Sequence, residues 1–200
     1  MSMTNFDSSH CEENIDLTKE NLEVVLYTND EGLEGLKRAD GKIIIPACYP
    51  MIKYYPNFVF PIDWFSVIAI KGDKDCLIDA DGKVVFEAEE IRPNISVICP
   101  ALFRQNDKWG IVSRSGKVLL SPRYDSIKPD CGGFYFTTLN GKEGFITTEG
   151  DVIEPIYDSI DIDVEQNIVV TLNGKTGYLD ENGEFTEDYE EAIYNLDMYF

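Results

Sequence analysis

Two hundred residues, 44% of them hydrophobic, suffice for a substantial apolar core, and no apolar run is long enough to span a bilayer. With 37 acidic against 17 basic residues the formal net charge is −20, which disfavours nucleic acid and anionic membrane, since both are gripped through Lys and Arg. Five cysteines (Cys11, Cys48, Cys76, Cys99 and Cys131), odd in number and irregular in spacing, fit neither a disulfide framework nor a zinc motif; they read as free thiols packed like small apolar residues.

Residues 1–21 form a polar, acidic N-terminal segment containing the one histidine, His10, and lacking the basic-then-apolar order of a secretory signal. The expected compartment is the cytoplasm. From about residue 25 onward no helical period is sustained. Short runs rich in Val, Ile, Phe and Tyr, such as Phe65–Ile70, Val97–Phe103, Phe134–Leu139 and Ile168–Leu172, suit strands. Asp40-Gly41, Asp81-Gly82 and Asn182-Gly183 are strong dipeptides for two-residue primed turns, and Ser115-Gly116 and Glu149-Gly150 fill the same slot more weakly. A second turn falls at Gly72-Asp73, Asn106-Asp107, Asn140-Gly141 and Asn173-Gly174.

These features recur. Five copies begin at Gly35, Cys76, Gly110, Gly144 and Gly177, each six residues before a turn glycine, and the turn glycines are spaced by 41, 34, 34 and 33 residues. Such a period marks units that cannot bury an apolar face alone and must stack. The expected architecture is a single all-β domain over 22–200, with repeats near 22–53, 64–91, 95–127, 132–160 and 166–193. Each repeat reads as a β-meander of three strands with a short fourth strand around a Tyr. The arrangement expected is propeller-like, with an open stacked β-repeat array as the alternative.

The best copy runs Lys108-Trp109-Gly110-Ile111-Val112, turns at Ser115-Gly116-Lys117, and closes on Pro122, Tyr124 and Asp125. It resembles the WG-repeat (KWG) family, and the resemblance extends over about residues 22–193. The other copies replace Trp-Gly by Glu34-Gly35, Asp75-Cys76, Glu143-Gly144 and Thr176-Gly177. Tyr-Asp persists at Tyr157-Asp158, drifts to Tyr49-Pro50 and Tyr189-Glu190, and in the second copy Glu90 holds the place. The resemblance implies an interaction scaffold from a bacterial or bacterial-like source. It also assigns Trp109 and the closing tyrosines to packing between units.

Catalytic chemistry finds little support. His10 lies outside the repeats, so no nucleophile–histidine pair is built into them. Asp79-Ala80-Asp81-Gly82 and Asp180-Glu181-Asn182-Gly183 look like pieces of a calcium loop, but Leu77 and Tyr178 stand where an earlier acid is required. Adjacent acids such as Glu89-Glu90 point to opposite faces of a strand. No enzyme activity, cofactor or metal site is expected.

A protein-binding role is expected instead, and two stretches stand out for it. The long first interval, Tyr49 to Phe65, is dense in aromatics and prolines. Insertions in repeat proteins map to loops, often on the binding face, so Tyr54, Asp63 and Trp64 are its candidate contacts. The acidic C-terminal stretch contributes Glu187, Asp188, Glu190 and Glu191. Size and charge suggest an immunity protein or inhibitor that covers a basic toxin or enzyme, with neither nucleic acid nor membrane as partner. A lectin-like or small-ligand-binding repeat protein is the alternative, weakened by the divergence of the copies, and a general interaction scaffold is a second.

Overall fold

Every regular element in the computed structural model is a strand; the structure describes residues 21–54, 60–61, 66–93, 100–129, 134–147, 151–163, 167–180 and 184–188. The first sheet holds Val24–Thr28, Glu34–Arg38 and Ile43–Tyr49, and the second Met51–Tyr54, Val67–Lys71, Lys74–Ile78 and Val84–Ala88. The third holds Glu90–Arg92, Ala101–Gln105, Lys108–Val112 and Val118–Tyr124. The fourth is Ser126–Pro129, Tyr135–Leu139, Lys142–Ile146 and Val152–Tyr157, and the fifth Ser159–Ile162, Ile168–Leu172, Lys175–Leu179 and Phe185–Thr186. A short pair joins Asn21–Leu22 to Phe60–Pro61. The fold class is the expected one, all-β, with five antiparallel meander sheets among the described residues. The chain divides into two compact units after Pro122.

Apolar side chains are buried between consecutive sheets. In the first unit Leu36 and Ile45 pack with Val67, Ala69, Cys76 and Ile78, and Ile68, Leu77 and Ala88 pack with Ile91, Phe103 and Val112. In the second unit Phe145 and Tyr157 pack with Ile160, Val170 and Leu179. Each fully buried large side chain contributes roughly 1.5–3 kcal/mol. Because that burial spans two sheets, no sheet keeps it alone.

Two features differ from the sequence reading. The tyrosines Tyr49, Tyr124 and Tyr157 close their sheets, and the short strand after each belongs to the next sheet. Ser126–Pro129 pairs with Tyr135–Leu139, and Ser159–Ile162 with Ile168–Leu172. The bend residue between them is the cause. Asp125 donates its N–H to Thr138 O at 2.8 Å, and its carboxylate accepts the Asn140 N–H at 2.6 Å. Asp158 does the same with Thr171 O at 2.7 Å and the Gly174 N–H at 3.1 Å. Bound to the next hairpin, the bend hands the following strand forward. The second copy carries this device earlier than expected: the register Asp75↔Ala88 matches Glu34↔Tyr49 and Glu143↔Tyr157, so Ala88 takes the tyrosine place. Glu89 takes the bend, its carboxylate accepting the Asn106 N–H at 3.1 Å. Glu90 instead opens the third sheet.

The primed turns are also exchanged. Asn106 and Asp107 have φ of 53° and 59°, Asn140 and Gly141 53° and 75°, and Asn173 and Gly174 53° and 79°, positive at both positions as a two-residue type I′ turn requires. At Asp40-Gly41 only the glycine is positive, at 92°, and the loop encloses three residues, with the Arg38 N–H donating to Lys42 O and the Gly41 N–H to Arg38 O. Gly82 and Gly116 repeat this pattern. These are three-residue turns ending in a left-handed glycine. The dipeptide identifies where glycine is needed but not how many residues the closing hydrogen bond encloses. Asn140→Ala, which puts a methyl side chain at positive φ, is expected to cost about 1 kcal/mol. Asn140→Gly is expected to be near neutral, and urea unfolding midpoints of the two variants distinguish the outcomes.

Candidate functional site

In three of the four copies that depart from Trp-Gly, a carboxylate ties one sheet to the next. Glu34 Oε2 accepts the Ile52 N–H at 2.6 Å, Asp75 Oδ2 the Ile91 N–H at 2.8 Å, and Glu143 Oε2 the Ile160 N–H at 2.8 Å. Each isoleucine is buried in the opening strand of the following sheet. Asp75 is itself buried and also receives Lys53 Nζ at 2.7 Å. At Trp109 the ring is 9% exposed and is covered from within its own sheet, the Arg92 guanidinium lying 4.4 Å from its centroid.

The residues that sequence reasoning assigned to partner binding fall in separate places. Tyr54 ends the opening strand of the second sheet, paired with Ile68. Asp63, Trp64, Glu190 and Glu191 lie outside the described residues, as does His10. Glu187 and Asp188 are adjacent and exposed, just after the last strand of the fifth sheet. Glu187 Oε1 accepts from Lys175 Nζ at 2.6 Å, a bond that raises the lysine above its ordinary range. The Asp188 N–H donates to Thr186 Oγ1 at 3.1 Å. The turn acids singled out as calcium-loop fragments serve their own backbone. Asp79 Oδ1 accepts the N–H groups of Asp81 and Lys83 at 3.0 and 2.9 Å, and Asp180 Oδ1 that of Glu184 at 2.8 Å.

From Arg123 onward the sequence has eighteen acidic and four basic residues. Three of those bases are already engaged: Arg123 with Glu154 at 2.8 Å, Lys142 with Asp158, and Lys175 with Glu187. The bases therefore do little to offset the negative field at the surface. Lys142, followed by the Gly174 N–H, holds the Asp158 carboxyl below its usual range. A depressed carboxyl stabilises the fold above its unfolded value and loses that contribution as pH falls through the folded one. The stability advantage of the wild-type chain over Asp158→Asn is thus expected to shrink below about pH 4, as read from urea midpoints measured between neutral and acid pH.

The thiols divide. Cys76 is fully buried, its Sγ 3.4 Å from Ala69 O, and burial pushes its thiol up to about 11. Cys48 is exposed, against the expectation that it packs, because it lies in the stretch of the first sheet's closing strand that bulges past Gly35. Cys11, Cys99 and Cys131 lie outside the described residues. Burial also raises Tyr49 to about 12, in keeping with the packing role expected of the closing tyrosines.

Residues 109–142 match the family model for the WG containing repeat. No curated protein matches the chain in sequence. Among solved structures, one described as the eukaryotic initiation factor is similar at 9% identity and a TM-score of 0.42, over 78% of this chain and 50% of that one. The chain spans half the length of that structure. Selenomethionine-substituted virginiamycin B lyase from Staphylococcus aureus is similar at 16% identity and a TM-score of 0.31, over 93% of this chain and 71% of the lyase.

Proposed function

We propose that this WG-repeat protein works by binding another protein, as an acidic immunity protein or inhibitor that covers a basic toxin or enzyme. The carrying observation is the excess of eighteen acids over four bases from Arg123 onward, with three of those bases engaged by neighbouring carboxylates. Such a field attracts a basic surface from a distance and raises its association rate, an effect that salt screens within about 10 Å at 0.1 M. Glu187 and Asp188, with Glu190 and Glu191, are the contacts this reading favours at the acidic end, and Tyr54, Asp63 and Trp64 those it favours in the long interval. The proposed site of action is the cytoplasm, with no catalytic step and no cofactor.

The test is a pull-down from the native host, in which the product of the neighbouring open reading frame is tried first as partner. Recovery of one basic protein at stoichiometric level is expected, with an association rate that falls as salt rises and falls again when Glu187 and Asp188 are changed to lysine. Binding indifferent to salt, to a partner with a neutral or acidic surface, would remove the inhibitor reading. A set of unrelated captured proteins would favour a general scaffold.

A further inference from the structure

Among the described residues no meander sheet precedes the first or follows the fifth, so each of these two keeps one face outside the packing of consecutive sheets. Strand pairing decides which side chains lie there. In the first sheet Val24, Leu36 and Ile45 pack against the second, so Val25, Lys37 and Ile43, paired in one row across the three strands, lie on the opposite face. In the fifth sheet Ile160, Ile168, Val170 and Leu179 pack against the fourth, so the row Asp161, Val169, Tyr178 and Thr186 lies on the opposite face.

That face of the first sheet is built like an internal one but is not buried. Its row corresponds to Val67 and Ile78 in the second sheet and to Ala101 and Val112 in the third, all buried against the sheet before. Val25, by contrast, is 44% exposed and Ile43 57%. The terminal unit of a stacked array ordinarily turns a polar face outward, so an exposed aliphatic row there is the mark of a contact surface. Between the two aliphatic residues stands Lys37, its ammonium 5.5 Å from the centroid of the Tyr27 ring and paired with no carboxylate among the described residues.

The face of the fifth sheet is the complement. Val169 and Tyr178 give it a half-buried apolar centre, in the place that Ile68 and Leu77 hold in the second sheet, where they are buried against the third. Asp161 ends the row as an exposed carboxylate with no partner among the described residues. Net charge follows the same polarity. From Val24 to Tyr49 there are four acids and three bases, and from Ser159 to Asp188 eight acids and one base.

We propose that the first sheet of one copy of this chain docks on the fifth sheet of a second copy, repeating between chains the packing that joins consecutive sheets within one. Val25 and Ile43 cover Val169 and Tyr178, and Lys37 reaches Asp161. Two like faces in contact would set Lys37 against Lys37, or Asp161 against Asp161, so the contact is head-to-tail and not symmetric. Self-association does not depend on capture of a basic partner, and either can fail with the other intact.

The full chain is to be followed by sedimentation equilibrium from roughly 5 to 500 µM at about 0.15 M salt, where repulsion between acidic copies is screened beyond about 8 Å. The average mass of the wild type is expected to rise with concentration. Ile43→Asp blocks the first face and Asp161→Lys the second, both at exposed side chains, and Val25→Glu repeats the first block on the same row. Each variant alone is expected to need about tenfold or more higher concentration to associate. Mixed in equal amounts, Ile43→Asp and Asp161→Lys chains are expected to pair one to one with the wild-type affinity, because each supplies the face the other has lost. The proposal is overturned if the wild type stays monomeric throughout, if a variant of either face associates as the wild type does, or if the mixture recovers nothing.

Discussion

Gly144→Ala is expected to lower the stability of the chain by about 3 kcal/mol, a fall of roughly 6–12 °C in melting temperature, although it adds one methyl group. A Cβ at residue 144 would lie 2.4 Å from Ile153 O, 2.7 Å from Pro155 N and 2.8 Å from Glu154 C. All three are backbone atoms and cannot turn aside. They come so close because the closing strand carries two extra residues at that point: Glu143 pairs with Tyr157 while Phe145 pairs with Ile153, so three residues oppose one. Pro155 sits in this bulge, where its lack of an N–H costs no ladder bond. Gly35 faces the same arrangement around Pro46, with a Cβ there 2.6 Å from Ala47 N. The second copy provides the control. There the register Asp75↔Ala88, Cys76↔Glu87, Leu77↔Phe86 is unbroken, and a side chain fits where the others need glycine. Deleting Pro155 and Ile156 should therefore be less damaging in the Gly144→Ala background than in the wild-type chain, with a coupling of about 1 kcal/mol or more in a double-mutant cycle. Equal costs in the two backgrounds would show that the bulge is not what demands the glycine.

A loss of similar size, about 3 kcal/mol, is expected for Asp75→Ala. Removing this carboxylate leaves the Ile91 N–H without its acceptor at a position 2% exposed and releases Lys53 from its partner. Glu34 and Glu143 make the equivalent bond from half-buried positions, so Glu34→Ala and Glu143→Ala should cost about 1–2 kcal/mol each. Lys53→Met is informative in the opposite sense. If the ion pair dominates, it should cost nearly as much as Asp75→Ala; if the backbone bond dominates, as the burial of Ile91 argues, it should cost less than half. Urea midpoints for the four variants order these contributions, and equal values for Asp75→Ala and Glu34→Ala would count against burial as the deciding factor.

Much of this fold is legible in the chain because glycine spacing, turn residues and short β-branched runs are local properties. Asn140-Gly141 and Asn173-Gly174 announce their hairpins by type. What resists reading is pairing that crosses a repeat boundary. Nothing in Tyr124-Asp125-Ser126 states that the next strand is handed forward; that depends on where Thr138 O and the Asn140 N–H lie. Likewise Glu34, Asp75 and Glu143 look like decay of a Trp-Gly motif until the N–H groups of Ile52, Ile91 and Ile160 are placed beside them.

The forward handover of each opening strand bears on how the chain is made. Apart from the short pairing of Asn21–Leu22 with Phe60–Pro61, every described sheet is assembled from strands consecutive in the chain, and each carboxylate bond reaches only to the sheet that follows. A nascent chain can therefore complete one sheet soon after its last strand leaves the ribosome, at a small loop-closure cost, while the waiting Glu or Asp becomes the acceptor for the next strand to emerge. Synthesis and assembly can proceed in the same direction, with the first, second and fourth sheets each leaving an acid that has yet to find its N–H.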